Sequence, residues 1–431
     1  MKKIVASVGL VALGVSGVHA AYPPGLSTMD TSKALSVTAS LRGFYDDNYA
    51  TWPSDMARSS FGFEISPSVR FNWSPVEQTY LGAYYIYSGR FYEDRNSVSA
   101  NNPWDHSHQF NLILNHAFSE RYSLNLQDTF VIAQEPELLA PLAGPVPVLY
   151  RTQGNNIHNA ASASLQAELT RLLGVAVSYH NSVWDYENSG GNLFSPSLSG
   201  RLDRMEHAVS GDLRWHALPE TTAVVGYTFG MTAYSSTEII GFLPTVGLFD
   251  SSIRDLQSHA LYVGVEHSFP RDVTASVRAG ATYLDYRHNE ANKDTWIPYA
   301  DARLTYVYAP GSNIRIGVVH TYNSTDLIDP NATLGTVTSS QHSTSAYAAL
   351  THRLTALLSG SASVTYQHST FAGGNFDGQN DDFLMLGLNL TYAINPHWSA
   401  EVGYDYDLLS SDVPRRDYNR NRVYLGITAS Y

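Results

Sequence analysis

The chain has no cysteine in its 431 residues. A disulfide framework and lipid attachment through a cysteine are therefore excluded, and the absence suits passage through an oxidising compartment. Charge is sparse and one-sided. Charged residues make up 15%, and 39 acidic against 26 basic side chains leave a net charge of −13. That balance argues against a nucleic-acid partner. After residue 20 no stretch approaches the ~18 consecutive apolar residues that a membrane helix needs. His-Glu-x-x-His, Gly-x-Ser-x-Gly and phosphate-loop signatures are missing, so nothing recommends an enzyme. The run Asn375–Asp382 is rich in Asp and Asn but lacks the spaced final Glu of a calcium loop. No metal or cofactor is expected, and no linker or shift in composition divides the chain.

What is present is aromatic and alternating. Tyr 29, Phe 16 and Trp 7 together make 12% of the residues. From residue 35 to the end, segments of alternating hydrophobicity recur roughly once per 22 residues, a rhythm of long strands. Within 58–73, Phe61, Phe63, Ile65, Val69, Phe71 and Trp73 share one face, while Arg58, Glu64, Ser66, Ser68, Arg70 and Asn72 share the other. Pro67 within this segment predicts a bulge. Short turn-forming connections such as Pro270-Arg271-Asp272 and Asn395-Pro396-His397 alternate with long polar or apolar ones: 46–57, 93–104, 134–156, 187–203, 237–256, 324–340 and 371–381. Aromatics collect near strand ends, as in the two girdles of a membrane barrel.

The two termini agree with this pattern. Met1-Lys2-Lys3, the apolar run Ile4 to Val18 and the small-x-small triplet Val18-His19-Ala20 form an expected secretory signal. At the other end, Val423, Leu425, Ile427, Ala429 and Tyr431 alternate with small or polar residues. This resembles the C-terminal assembly signal of bacterial outer-membrane barrels. The expected fold is all-β: a transmembrane antiparallel β-barrel of about 18 strands, with 16 as the alternative. It occupies 35–431, after a signal peptide (1–20) and a short periplasmic segment (21–34).

Strand parity places Arg42, Arg58, Glu64, Arg70, Arg204, Glu206, Asp212, Arg214, Arg278, Glu401, Asp405, Arg420 and Arg422 on the lumen side. A barrel of this size is wide enough for water, so such charges can line a pore. Glu401, Asp405 and Asp407 on one strand would stand beside Arg420, Arg422, Arg42, Arg58 and Arg70 on the next ones. Opposed rows would set a transverse field across the pore. Cross-strand salt bridges that only stabilise the wall are the other reading. His106, His207, His259, His320, His342 and His368 fall on outward parity, beside the interfacial aromatics.

The first strand runs into Arg42-Gly43-Phe44-Tyr45-Asp46-Asp47-Asn48. A strand ending in Tyr-Asp-Asp-Asn resembles the putative beta-barrel porin type 2 family of Gram-negative outer-membrane proteins. The resemblance implies a porin-like channel for passive diffusion of small hydrophilic solutes, with no catalytic residues. An export or polysaccharide-passage barrel with periplasmic partners is an alternative. So is a surface adhesion or structural barrel with a filled lumen. Implied partners are outer-membrane lipid and lipopolysaccharide, the barrel-assembly machinery through the strand ending at Tyr431, and the solutes themselves. Open porins are often trimers, so a homotrimer is the implied assembly. Loop 134–156, with Leu138, Leu139, Leu142 and Val146 among prolines, is expected to fold inward as a constriction, as the third extracellular loop does in many general porins; loop 237–256 raises the same question.

Overall fold

The computed structural model describes residues 33–97, 102–133, 138–139, 148–149, 155–191, 196–289, 291–292 and 294–431. The expected signal and nearly all of segment 21–34 lie outside them. Eighteen strands form one sheet. In chain order they are β1 (Leu35–Asp46), β2 (Ser60–Val76), β3 (Thr79–Tyr92), β4 (Trp104–Ser119), β5 (Tyr122–Ala133), β6 (Asn156–Glu168), β7 (Leu173–Tyr186), β8 (Arg204–Leu218) and β9 (Thr221–Tyr234). There follow β10 (Leu256–Phe269), β11 (Val273–Tyr286), β12 (Thr295–Ala309), β13 (Ser312–Asn323), β14 (Ser340–Arg353), β15 (Leu358–Ala372), β16 (Asn380–Asn395), β17 (Trp398–Ser411) and β18 (Tyr418–Ser430). Each strand pairs antiparallel with its neighbours in sequence. β1 also pairs with β18, with Thr38 opposite Ser430 and Asp46 opposite Arg422, so the sheet closes on itself.

Period-two patterning decides which way each strand faces. In β1, Ser36, Ser40, Arg42, Phe44 and Asp46 are buried, while Leu35, Val37, Leu41 and Tyr45 between them are exposed. The same inversion runs around the wall: Phe61, Leu261 and Leu425 are 60%, 61% and 66% exposed, whereas Glu64 and Arg42 are 4% and 2% exposed. A soluble protein cannot present a continuous apolar exterior to water; a closed barrel can present it to hydrocarbon. The fold is thus a transmembrane β-barrel.

Pro67 does not make a bulge. Ala39 stays opposite Pro67, and the β2–β3 ladder holds one register from Ile65↔Gly89 to Ser68↔Ile86. Proline here interrupts hydrogen bonding toward β3 without adding a residue. Register shifts occur instead beside short turns, as between Trp73 and Val76 and between His216 and Leu218. All long connections follow odd-numbered strands and all short turns follow even-numbered ones. The loops therefore gather at one end. They include two that the sequence had not marked, 287–294 and 412–417.

Candidate functional site

The closing seam carries a dense ionic layer. Arg42 donates to Glu401 through Nε (2.7 Å) and Nη2 (3.0 Å). Glu64, directly opposite Arg42 on β2, accepts from Arg90 Nε at 3.0 Å and from the hydroxyls of Ser66 and Ser88. Arg420 and Arg422 both donate to Asp46 Oδ2, at 2.6 and 2.8 Å. Asp405 stands opposite Arg422, and Asp407 opposite Arg420. Aromatic rings cover the layer: the Arg42 guanidinium lies 4.5 Å from the Tyr424 ring centre, and Phe44, Tyr49, Tyr92 and Tyr424 pack together. The Arg422, Arg420 and Asp46 side chains are 4%, 1% and 0% exposed. Rings and neighbouring strands, not open water, surround these charges.

Across the barrel the inner wall is wetter. On β8, β10 and β11, Arg214 Nη2 donates to Glu266 at 2.6 Å, and Arg278 Nη2 donates to the same carboxylate at 3.1 Å and lies 3.5 Å from Asp212. The Tyr262 hydroxyl donates to Asp212 at 2.6 Å. On β12, Arg303 Nη2 donates to Asp301 at 2.6 Å. On β13, Arg315 is exposed on the inner face, directly opposite Thr305. These cations lie toward the short-turn end of their strands.

Most of the residues expected on the lumen side share the inward parity of their strands. Arg204 is inward and 3% exposed; its Nε donates to Glu206 at 2.7 Å, and its guanidinium lies 5.1 Å from the Trp184 ring. Arg70 is inward on β2, 5.0 Å from the Tyr84 ring. Arg58 is the exception: it does not share the inward face of β2. It precedes Ser60, the first residue of β2, and is exposed in the first loop with its guanidinium 5.1 Å from the Trp52 ring. Residues 57–59 are not in the ladder, so counting alternation back from Phe61 does not orient it.

The loop end holds what the sequence concealed. The chain leaving β13 crosses the mouth of the barrel. Ser324 Oγ donates to Glu206 on β8 at 3.0 Å, and the Thr325 carbonyl accepts from Arg254 Nη2 at 2.8 Å. Asp326 then takes both Nη atoms of Arg416, each at 2.7 Å, while Arg416 Nε donates to Asp381 at 2.8 Å. Arg416 lies in the connection before β18, so three consecutive residues link opposite arcs of the wall. Burial alone would lower the Arg416 pKa, but the Asp326 and Asp381 carboxylates hold it above the ordinary value. Arg254 is fully buried, which pushes its guanidinium below the usual value; it donates to the Arg201 carbonyl at 3.0 Å and to the Tyr234 hydroxyl.

An apolar layer backs this crossing. Ile240, Leu243, Phe249 and Ile253 of loop 237–256 pack on Val337, with Ile328 against them. Asn292 fixes the Val337 backbone by donating to its carbonyl at 3.0 Å and accepting from its N–H at 3.2 Å. Loop 237–256 therefore packs on the crossing segment. Most of loop 134–156 lies outside the described residues, which include the pairing of Leu138 with Leu149 and Leu139 with Val148 and, at its end, Asn155 and Asn156.

On the outer wall, histidines bond to cross-strand neighbours: His106 with Tyr87 (2.8 Å), His207 with Tyr179 (2.9 Å), His259 with Tyr227 (2.7 Å) and His320 with Thr344 (2.8 Å). Their packing is that of interfacial side chains.

Closed antiparallel wall, polar interior and apolar exterior define a membrane β-barrel of the outer-membrane type. Residues 331–431, which contain the whole of the last five strands, match the family described as Putative beta-barrel porin 2. That match lies at the opposite end of the chain from Tyr45-Asp46-Asp47-Asn48. No curated protein matches the sequence. Among solved structures, Acinetobacter baumannii OccAB4 is 12% identical, with 93% of this chain and 99% of that chain covered and a TM-score of 0.43. Pseudomonas aeruginosa OpdK with vanillate is 10% identical, with 92% and 99% covered and a TM-score of 0.45. The ferric enterobactin receptor PfeA of P. aeruginosa, a mutant in complex with enterobactin, is 8% identical, with 92% and 81% covered and a TM-score of 0.45.

Proposed function

We propose that the protein is an outer-membrane pore for passive diffusion of small hydrophilic solutes, narrowed at its loop end by residues 324–326. The observation that carries this reading is the inverted wall: eighteen closed strands with charged and hydroxyl side chains inside and apolar ones outside. Barrels of this strand number enclose an aqueous channel. Passage requires no chemistry, only a wet path and a filter of loop and charge. The wetter arc from β8 to β13 supports a path along that side, bordered by Arg214, Arg278, Arg303 and Arg315. The buried ionic seam favours a second reading, a structural barrel with a filled lumen. Planar-bilayer recording of the purified protein separates the two: stepwise, ohmic openings support the pore, and silence at all voltages and salts rejects it.

A further inference from the structure

We propose that the outer face of β5–β8 is where two copies of this chain meet within the membrane. The sign is Asp128. It lies at the middle of β5, six residues from Tyr122 and five from Ala133, on the face opposite the buried, inward Thr129 and Val131. Its row of register partners starts at Phe71 near the turn end of β2 and finishes at Asp285 beside the loop end of β11. A row that climbs from one interface to the other crosses Asp128 in the hydrocarbon zone. The other outer-face acids, Asp185, Asp285 and Asp382, all lie within three residues of a loop end.

A carboxylate facing acyl chains is disfavoured in a depth-dependent way, most at the midplane. Its own wall supplies only an amide: Asn159 Nδ2 stands 3.3 and 3.2 Å from the two oxygens. Among the described residues, no lysine or arginine lies on the outer face of a barrel strand. The neighbouring strands instead carry polar donors. Asn181 Nδ2 lies 3.1 Å from His207 Nδ1, and the Asn159 and Asn181 amides each carry two N–H groups. Ala161 and Ala163 between them are small, so another wall can approach closely. Small residues occur elsewhere on the outer face too, as at Ala300, Ala302, Ala346 and Ala348, but among the described residues no other outer-face acid sits at mid-strand beside them. Acceptor, donors and small residues on one patch supply their own complement, so the partner that fits is a second copy.

The proposal rests on the membrane-barrel reading and not on solute passage. Native mass spectrometry from mild detergent tests it, with folding followed by circular dichroism. Wild type should be oligomeric. Asp128→Leu and Ala163→Trp should give folded monomers, while Ala348→Trp on β14, across the barrel, should leave the oligomer intact. A monomeric wild type, an oligomer that survives Ala163→Trp, or one lost equally with Ala348→Trp overturns the assignment. Conductance on the same samples separates the two readings: a conducting monomer rejects the interface alone, and a silent oligomer rejects the pore alone.

Discussion

Two consecutive residues in the turn between β10 and β11, Arg271 and Asp272, hold φ at 71° and 57°. Tight hairpins need this left-handed geometry, which asparagine, aspartate and glycine tolerate better than arginine. The conformation costs an ordinary L-residue about 1–2 kcal/mol, and glycine returns roughly 0.5–1 kcal/mol of that as extra freedom in the unfolded chain. Arg271→Gly should therefore raise the unfolding free energy by about 0.5–1 kcal/mol, measured by urea titration in detergent or lipid. No gain would mean that the Arg271 side chain makes a compensating contact. At the loop end, Glu238 responds to pH. Burial alone would raise its carboxyl, but the Ser197 hydroxyl and backbone N–H, with the N–H groups of Gly191 and Gly190, hold it below the ordinary value. A lowered folded pKa means its contribution is fully present above about pH 4.3 and is lost as pH falls through the lower folded value. Asp203 and Asp255 have the opposite sign: burial raises both, so their ionisation opposes loop packing, and acid relieves it. The protection of amides 197–200, taken as the exchange rate relative to the intrinsic rate at each pH, should thus fall in acid for wild type. Glu238→Gln should show low protection already at neutral pH, with less further loss in acid; an unaltered profile would remove Glu238 from the account.

At the scale of elements, the segment after β13 matters most. Asp326 and Arg416 form a buried, doubly hydrogen-bonded pair, and truncating one partner of such a pair costs about 3–5 kcal/mol. Asp326→Ala should release 324–339 from the mouth and shift its closed-to-open ratio by roughly a hundredfold or more. Bilayer recordings should then show larger or more frequent openings than wild type. Unchanged conductance would mean that the path does not run beneath the segment. The contrast with the wall explains what could be read in advance. Strands alternate with period two, so their number, their direction and the inward parity of residues such as Arg42, Glu64 and Arg422 follow from local spacing. Pairing across the fold does not. Asp46 and Arg420 are 374 residues apart, and only closure of β1 on β18 brings them together. Asn323-Ser324-Thr325-Asp326 reads as an ordinary polar loop, and Arg416 sits in a connection too short to attract notice. Arg58 shows the limit from the other side: parity orients a residue only while the ladder continues.

For the whole molecule, the distribution of charge across the barrel predicts which ions pass. The seam side, where Arg42 meets Glu401 and Arg420 and Arg422 meet Asp46, is neutralised at short range and shut away from water. Its field should therefore contribute little beyond the wall. The opposite arc keeps Arg303 partly exposed at 23% and Arg315 exposed, so their charge reaches solute, screened only over a Debye length of ~10 Å at 0.1 M salt. Anions should be favoured on that side. Replacing both residues, Arg303→Ser with Arg315→Ser, removes two cations and uncovers Asp301. The reversal potential in a potassium chloride gradient should then move toward cation selectivity. The paired change Arg42→Gln with Glu401→Gln deletes a neutral, buried bridge and should leave that potential in place. If the seam pair moves the potential and the arginine pair does not, the conducting path follows the seam, and the arc from β8 to β13 is only wall.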